Sequence, residues 1–301
     1  MKIIEKLKEF FIEEIEVKNT FTNDVVLHTI QKHEIDEIPR INERSKIETY
    51  SYSRINTFEQ CPFKYKLQYI DKEDSEIDDT IESFMGRIVH KCLKELYKRK
   101  NFEQGYSKEG LIKFYRELWN KEYSEDIRIV KKYQGLNADN YMNAGEKFLS
   151  DYYETYKPFK QLNILELETE DKITLPDGNQ WHIRIDKLGY DDKGNYYVCD
   201  YKTSSRMMNQ READEDKQVA MYSIWVKNKF KKAKSIKLVW HMLAFNQTIV
   251  SERTEEELNK LQNEIVNIIN KIESTKDFPT RVSGLCNYCG FTSKCPAFNN
   301  R

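Results

Sequence analysis

The hydrophobic pattern of the chain changes its period after residue 160, and this change limits the possible folds more than any other feature. Apolar and acidic residues then alternate from Leu162 to Leu175, as they do in a half-buried β-strand. The turn-forming sequences PDGN and DDKGN separate two more strand-like segments. We therefore predict three consecutive strands joined by two hairpins, over Leu162–Leu175, Trp181–Tyr190 and Tyr196–Thr203.

Helical periodicity dominates the chain on both sides of these strands. Apolar residues recur every three or four positions before the hairpins and again after them. A fourth, buried strand is predicted over Ser235–Phe245. The predicted helices are a short one near Phe58–Lys66, then Ile81–Lys98, most of Leu111–Tyr156, Glu212–Lys229 and Glu255–Ser274. This order of elements predicts an α/β sandwich core.

Composition favours one large domain preceded by an extension. The 301 residues include only 10 glycines and 6 prolines, which favours long regular elements over flexible linkers. The first residues, MKIIEKLKEFFIEEIEV, carry an apolar face at helical spacing. We predict an N-terminal helical extension of unknown role over residues 1–45 and a main domain over residues 46–301.

Several classes of protein are disfavoured by composition. No stretch is apolar enough for a signal peptide or a membrane span, so we expect a cytoplasmic protein with no membrane partner. An aromatic content of 13% argues against disorder. The net charge of −1 gives no indication of nucleic acid, and the basic run Lys227–Lys237 fits a solvated surface as well as a phosphate-binding one.

Two aspartates are placed symmetrically about the second turn. Asp186 and Asp200 are equidistant from Lys193, so a symmetric turn puts them directly across the ladder, with Cβ atoms ~5 Å apart. Carboxylates at that distance repel each other unless one is protonated or a cation lies between them. Oxygen ligands select Mg2+ or Mn2+ over zinc. Lys202 shares a face with Asp200 and is placed to orient a metal-bound water or to stabilise charge on a phosphate.

The same residues also fit a purely structural role. An Asp-x-Lys triplet is expected by chance in a chain in which 33% of the residues are charged. An asymmetric turn would shift the register and separate Asp186 from Asp200. An ion pair between Asp200 and Lys202 is therefore an alternative to a metal site.

Three further polar residues occupy helix faces. His90 lies at the edge of the apolar face of its predicted helix, where a packed or half-exposed histidine is more common than a metal ligand. Gly86, one turn earlier, removes bulk and allows another strand to approach closely. Gln218 and Tyr222 are four residues apart and share a face of a later helix, which alone indicates an ordinary polar edge.

Four of the six cysteines have the spacing of metal ligands. Cys286, Cys289 and Cys295 form a CxxC pair with a third cysteine close by, and Cys61 would complete a set of four thiolates. Thiolates select zinc or an iron–sulfur cluster, and the spacing does not separate these two. A C-terminal knuckle with another fourth ligand is the alternative. The two remaining cysteines lie in apolar segments and are expected in the core.

Together these motifs resemble the PD-(D/E)XK nucleases of the RecB type, from about Ser51 to Phe298. The nearest branch carries an iron–sulfur cluster and includes the AddB nuclease domain and the CRISPR-associated spacer-acquisition exonucleases. The matching sequences are Ser53-x-Ile55, Cys61-Pro62, Gly86-x3-His90-x2-Leu93, Arg184-Ile185-Asp186, Asp200-Tyr201-Lys202-Thr203, Gln218-x3-Tyr222 and the three C-terminal cysteines.

The resemblance implies a restriction-endonuclease-like core, which is a central mixed sheet flanked by helices, with a helical insertion and a C-terminal iron–sulfur staple. It implies that Lys202 positions the water nucleophile and that Gln218 and Tyr222 hold DNA or the surroundings of the metal. A glutamate of the first strand, Glu166 or Glu168, would contribute. The implied ligands of Mg2+ or Mn2+ are His90, Asp186, Asp200 and the carbonyl of Tyr201.

The implied reaction is phosphodiester hydrolysis by metal-activated water. The chain would be a DNA exonuclease acting on single strands or DNA ends, in repair, recombination or CRISPR adaptation. Cys61 and the three C-terminal cysteines would hold a structural [4Fe-4S] cluster, with zinc as the alternative.

Since helicase motifs are lacking, a helicase or a CRISPR integrase is a possible partner. A catalytically silent DNA-binding module and an RNA-processing nuclease are the competing hypotheses. Ile183 stands where the family usually has glycine, a departure that removes no ligand.

Overall fold

The computed structural model describes residues 47–100 and 107–299. The predicted helical extension over residues 1–45 lies outside the described residues. Within them, none of the helices has an apolar run long enough to cross a membrane.

A six-stranded mixed sheet forms the centre of the described domain. Its strands are β1 (Thr49–Tyr50), β2 (Asn163–Thr174), β3 (Gln180–Tyr190), β4 (Asn195–Lys202), β5 (Ser235–Met242) and β6 (Gln247–Glu252). The order is β1–β3–β4–β5–β6, and β2 also pairs with β3. The pairs β1–β3 and β4–β5 are parallel, and the others are antiparallel. The predicted α/β fold with a mixed sheet is confirmed.

Both predicted hairpins are present, and the second has the symmetric register. Lys187 of β3 pairs with Cys199 of β4, as expected of a turn centred on Lys193. Lys187–Cys199 is the last pair of this ladder, and its register, continued by one residue, places Asp186 opposite Asp200. The register on which the carboxylate argument depends is therefore confirmed.

The predicted strand Ser235–Phe245 is shorter than expected, and a further strand follows it. Strand β5 ends at Met242, and a 3-10 turn over Leu243–Phe245 reverses the chain. Asn246 closes this turn in the left-handed region, with φ 49°, which asparagine tolerates better than most residues. The reversal produces the antiparallel edge strand β6, which the sequence pattern does not reveal.

Helices cover both faces of the sheet. They are α1 (Tyr52–Gln60), α2 (Pro62–Tyr65), α3 (Ile81–Lys100), α4 (Lys108–Glu122), α5 (Ala138–Tyr156), α6 (Gln210–Asp214), α7 (Lys217–Lys229), α8 (Glu255–Ser274) and α9 (Pro296–Asn299). The bounds of α8 agree with the prediction. The predicted Leu111–Tyr156 stretch is two helices, because Gly135 ends an intervening 3-10 turn and Asn137 caps α5.

Two hydrophobic cores result, one on each side of the sheet. Helices α1, α7 and α8 pack on one face, together with Trp181 and Trp240. Helices α3, α4 and α5 pack on the other face, around Phe84 and Tyr115. Because side chains alternate along a strand, the neighbour of Trp240 on β5, His241, points to the second group of helices.

The segment after α8 returns to the first two helices. The carbonyl of Glu59 accepts a hydrogen bond from Arg281 Nη1 at 2.5 Å, across 222 residues of chain. The carbonyl of Pro279 accepts one from the backbone N–H of Phe63 at 3.2 Å. These bonds bring Cys61 and the three C-terminal cysteines to the same part of the molecule.

Candidate metal centre and its surroundings

Three carboxylates occupy one row across strands β2, β3 and β4. On β2, the residues on either side of Glu168 pair with the residues on either side of Asp186, so these two acids lie opposite each other. Asp200 is on the far side of Asp186, on β4. The backbone N–H of Tyr201 donates to Asp186 Oδ2 at 2.8 Å and holds the central carboxylate in place.

The backbone of Glu168 has an unusual conformation. Its φ of 51° lies in the left-handed region, which costs a non-glycine residue on the order of 1–3 kcal/mol. Residues held in this way cluster at functional sites. Glu166, the other glutamate considered from the sequence, instead accepts hydrogen bonds from Lys229 at 2.5 Å and from Thr169 at 2.8 Å. Glu168 is therefore the glutamate of this site.

Helix α3 supplies His90 to the row of carboxylates. The imidazole Nδ1 lies 3.3 Å from Asp186 Oδ1 and 3.9 Å from Glu168 Oε1. The Nε2 atom lies 3.0 Å from the carbonyl oxygen of Tyr201. Gly86, one turn earlier, allows this approach, since a Cβ there would lie 3.1 Å from Thr203 Oγ1 at the end of β4.

A chain of polar contacts leads from Asp200 to helix α7. Lys202 Nζ lies 2.8 Å from Asp200 Oδ2 and 3.5 Å from Gln218 Oε1. The Gln218 amide donates to Tyr222 OH at 3.1 Å. Asp216 caps α7 by accepting from the backbone N–H of Val219, which fixes the helix end that carries Gln218. All the predicted catalytic side chains thus lie around one groove or directly behind it.

The pKa values of His90 and Asp186 shift together. Burial alone would lower the pKa of His90, but the hydrogen bond and charge of Asp186, with Asp200 and Glu168, raise it to about 9. Burial alone would raise the pKa of Asp186, yet His90 and the Tyr201 N–H hold it below its ordinary value. In the metal-free protein a protonated His90 therefore neutralises the central carboxylate.

Asp200 shifts in the opposite direction from Asp186. Burial raises the pKa of Asp200 to about 6, although the charge of Lys202 opposes this shift. Two close carboxylates commonly separate in this way, since both cannot ionise easily without a cation. The pKa of Lys202 is raised above its ordinary value: burial would lower it, but Asp200 more than offsets that effect.

The donor set fits a divalent cation. Within residues 47–100 and 107–299, only His90, Glu168 and Asp186 bring three potential ligand atoms within 4.8 Å of one another. The Tyr201 carbonyl oxygen lies 3.0 Å from the other ring nitrogen of His90, and one oxygen of Asp200 is paired with Lys202. Carboxylate and carbonyl oxygens with one imidazole nitrogen suit manganese, and magnesium with less preference for the nitrogen.

The alternation along the first predicted strand does not decide whether Glu166 or Glu168 belongs to this group, but the position of the PDGN turn does. Glu168 and Asp186 are equidistant from Asp177 in the PDGN turn, just as Asp186 and Asp200 are equidistant from Lys193. The observed pairing has this symmetry, since Thr174 pairs with Gln180. Applied to both hairpins, the same arithmetic selects Glu168 over Glu166.

Several cations line the groove beside the carboxylates. The groove has a volume of about 850 Å³. Arg87 and Lys91 share Glu122 as a partner, at 2.6 Å and 2.7 Å, and Arg184 lies 3.5 Å from Glu168. Lys94, one turn beyond His90, makes no ion pair among the described residues. The groove therefore combines an acidic floor with a basic wall.

The four predicted cluster cysteines line one small cavity. Cys61 directly follows α1 and borders a cavity of about 50 Å³ together with Cys286, Cys289 and Cys295. Burial raises the pKa of the Cys289 thiol, and nearby Cys286 and Cys61 act in the same direction. The backbone N–H of Ser283 donates to the Cys286 sulfur at 3.4 Å. The other two cysteines are buried in the core, as expected.

Comparison with known proteins gives matches at three levels. The family model of the PD-(D/E)XK nuclease superfamily matches residues 49–296. The chain is similar to a subunit of the ATP-dependent helicase/deoxyribonuclease of Clostridium perfringens, with 25% identity over 186 residues in strain SM101 and 24% in strain 13. Each match covers 55% of this chain but only 16% of the relative's length. A crystal structure from Eubacterium rectale, named as a candidate exonuclease, aligns with a TM-score of 0.49 and 12% identity over 80% of this chain and 88% of that chain.

Single substitutions of Glu166 and Glu168 on β2 test which of the two glutamates is a metal ligand. We expect Glu168→Gln to weaken Mn2+ binding by about tenfold or more, because a carboxylate is lost from the donor set. Glu166→Gln is the matched control and should leave the affinity unchanged, since Glu166 contacts Lys229 instead. Titration calorimetry with Mn2+ measures both, and equal effects of the two changes would exclude the assignment of Glu168.

Metal binding is expected to strengthen as pH rises. Because the pKa of His90 is raised to about 9, its imidazole carries a proton at neutral pH and must lose it to bind a metal. The apparent Mn2+ affinity should rise by up to about tenfold per pH unit between about pH 6 and pH 8. Calorimetry in two buffers of different protonation enthalpy counts the released proton. An affinity that stays constant over this window would contradict the expectation.

Proposed function

The chain belongs to the PD-(D/E)XK nuclease superfamily, and on this premise we propose that it is a metal-dependent DNA exonuclease. One observation carries the proposal: His90, Glu168 and Asp186 converge beside the Asp200–Lys202 ion pair at the floor of a groove. A site that had lost catalysis would be expected to lack one of these members. The complete set favours an active enzyme over a silent DNA-binding module.

The proposed metal site is built from four elements of the fold. Strands β2, β3 and β4 supply Glu168, Asp186, Asp200 and the Tyr201 carbonyl, and α3 supplies His90. A divalent metal held there would polarise the phosphodiester and lower the pKa of a bound water. His90 would hold it as the neutral imidazole, after releasing its proton to solvent, and the cation would offset the charges of the carboxylates.

Lys202 is proposed to position the attacking water. Its ammonium lies between Asp200 and Gln218, so two acceptors already use part of its donor capacity and restrict its position. The remaining N–H is available for the water or for an oxygen of the phosphate as charge develops there. Gln218 and Tyr222 hold the lysine from behind and are proposed as positioning residues.

The groove supports a nucleic acid substrate. Its basic wall, with Lys94 free of an acidic partner among the described residues, offers a cation to a phosphate one turn of helix away from His90. The choice of DNA follows the similar Clostridium perfringens protein, which is named as part of a deoxyribonuclease. Action on single strands or DNA ends is the part of the proposal that depends on the family resemblance.

For the four cysteines we propose a structural [4Fe-4S] cluster. All four cysteines border one cavity, which suits a shared thiolate site. The resemblance to the iron–sulfur branch of the family supports a cluster over a single zinc ion. Its role would be to fasten the C-terminal segment to α1 and α2.

The proposed pathway is DNA repair or recombination with a helicase as partner, or CRISPR adaptation with an integrase as partner. The helicase is favoured by the name of the Clostridium perfringens relative, which describes a helicase/deoxyribonuclease. A nuclease acting on RNA is the second candidate, and the substrate series below tests it.

The decisive experiment compares cleavage of labelled linear single-stranded DNA, circular single-stranded DNA, duplex DNA and RNA in Mn2+ or Mg2+. We expect wild type to degrade linear DNA and to spare the circle, as an exonuclease must. Lys202→Ala should reduce the rate by about 10²–10³-fold, since a group acting on developing charge is lost. Lys193→Ala, an exposed lysine at a hairpin tip, is the matched control and should cleave as wild type does.

Absence of cleavage by wild type on every substrate would overturn the nuclease proposal. Cleavage of RNA alone would show that RNA, and not DNA, is the substrate. Cleavage of the circular DNA would show that the enzyme acts as an endonuclease and not as an exonuclease. Equal rates for Lys202→Ala and Lys193→Ala would remove the role given to Lys202.

Anaerobically purified protein should be brown and contain about four iron atoms per chain with equivalent sulfide. Cys61→Ala should lose the colour and the iron, because one of four ligands is gone. Cys92→Ala changes a fully buried cysteine of the core and should retain both. Zinc in place of iron, or full iron content in Cys61→Ala, would refute the cluster as proposed.

A further inference from the structure

A second cleft lies on the face of the sheet that α3 and α5 cover, and the proposed reaction does not use it. It has a volume of about 310 Å³ and shares no lining residue with the groove of the metal centre. Tyr97 borders it and lies two turns of α3 beyond His90. The volume is within the range of small-molecule sites.

Lys187 lines this cleft and is a buried cation that, among the described residues, is held by tyrosines and not by a carboxylate. It is 3% exposed. Its ammonium donates to Tyr97 OH at 3.1 Å and to Tyr152 OH at 3.0 Å, and it lies 4.3 Å from the centre of the Tyr97 ring. In the described part of the chain it pairs with no carboxylate. Because an ammonium has three N–H groups, one is left for another acceptor.

His241 also lines the cleft, and its bonded ring nitrogen lies against hydroxyl groups of the lining. Its Nδ1 lies 3.1 Å from Tyr156 OH and 3.3 Å from Thr248 Oγ1, so hydroxyls satisfy this nitrogen. Its Nε2 is buried without a hydrogen-bond partner among the described residues and presents no surface to the cleft. His241 therefore belongs to the wall of the cleft and offers no free donor to a ligand.

The remaining lining is largely apolar. Phe159, Leu162, Ile164 and Val239 form walls between the buried cation and the mouth of the cleft, where Val250 is 43% exposed. A positive charge at the inner end excludes a cationic ligand, and apolar walls give a bare inorganic ion little to contact. The complementary molecule carries a negative group at one end and an apolar or aromatic body at the other.

We propose that this cleft binds a small organic anion, whose carboxylate or phosphate reaches Lys187. The anion would compensate a buried charge that has no carboxylate partner in the described part of the chain, and a charge-assisted hydrogen bond would fix its orientation. Lys187 follows Asp186 on β3, and its partner Cys199 precedes Asp200 on β4. The bound anion would therefore contact the two strands that carry the acids of the metal centre.

The test measures thermal unfolding of the full chain in EDTA with benzoate, thymidine 5′-monophosphate or inorganic phosphate as the probe. We expect benzoate or the nucleotide to raise the unfolding temperature of wild type by about 2–4 °C at saturation. Benzoate and the nucleotide distinguish a carboxylate from a phosphate as the preferred group. Lys193→Met, a change of an exposed lysine, should keep the shift.

Lys187→Met keeps a long apolar side chain while removing the charge, so it should lose the shift. Without ligand it should be at least as stable as wild type, because an unpaired buried charge has been removed. Val250→Trp changes an exposed position, narrows the mouth, and should abolish the shift with the two organic probes even if the first variant does not fold.

The proposal is overturned if none of the three probes shifts the wild-type transition. It is also overturned if Lys187→Met or Val250→Trp responds to the organic probes as wild type does. A response to inorganic phosphate that equals the response to the organic probes overturns the assignment of an organic ligand.

Discussion

Mutual repulsion among three carboxylates on adjacent strands is the constraint on which the site depends. Sheet pairing brings Glu168, Asp186 and Asp200 into one row, and no strand can move away without breaking its ladder. The metal-free protein offsets the repulsion with a protonated His90 on one side and Lys202 on the other. A divalent cation would replace the proton of His90. The fold thus holds together charges that would separate in a flexible chain, and in doing so creates affinity for a metal.

The sequence predicts this row well because hairpin geometry is local. A turn of known centre defines the pairs along two strands up to the first bulge, such as the one between Ile164 and Glu166 on β2. The position of Lys193 is therefore enough to place Asp186 opposite Asp200. The directions of the side chains depend on the rest of the fold. The left-handed backbone of Glu168 and the pairing of Asp200 with Lys202 result from contacts between distant segments. No periodicity in the sequence carries that information.

In the rest of the fold, too, some features follow from the local sequence and others depend on contacts between distant segments. Helix α8 has a capping box at Thr254 and a strong apolar stripe, so its bounds could be read directly. Strand β6 is a short edge strand with little pattern, and its existence depends on the reversal at Asn246. Lys187 looks like any strand lysine in the sequence, yet it is enclosed by tyrosines from α3 and α5. Burial of a single polar residue is a property of the assembled layers.

The contacts between α1, α2 and the segment after α8 have a consequence for the order of folding. Glu59 and Arg281 are joined across 222 residues, so the earliest described helices lack their partners until almost the whole domain has left the ribosome. Contacts of such long range slow the search for the native state. During synthesis, Cys61 would lack the C-terminal cysteines beside it while the sheet assembles. The contacts of the segment after α8 with α1 and α2 therefore form only late in synthesis.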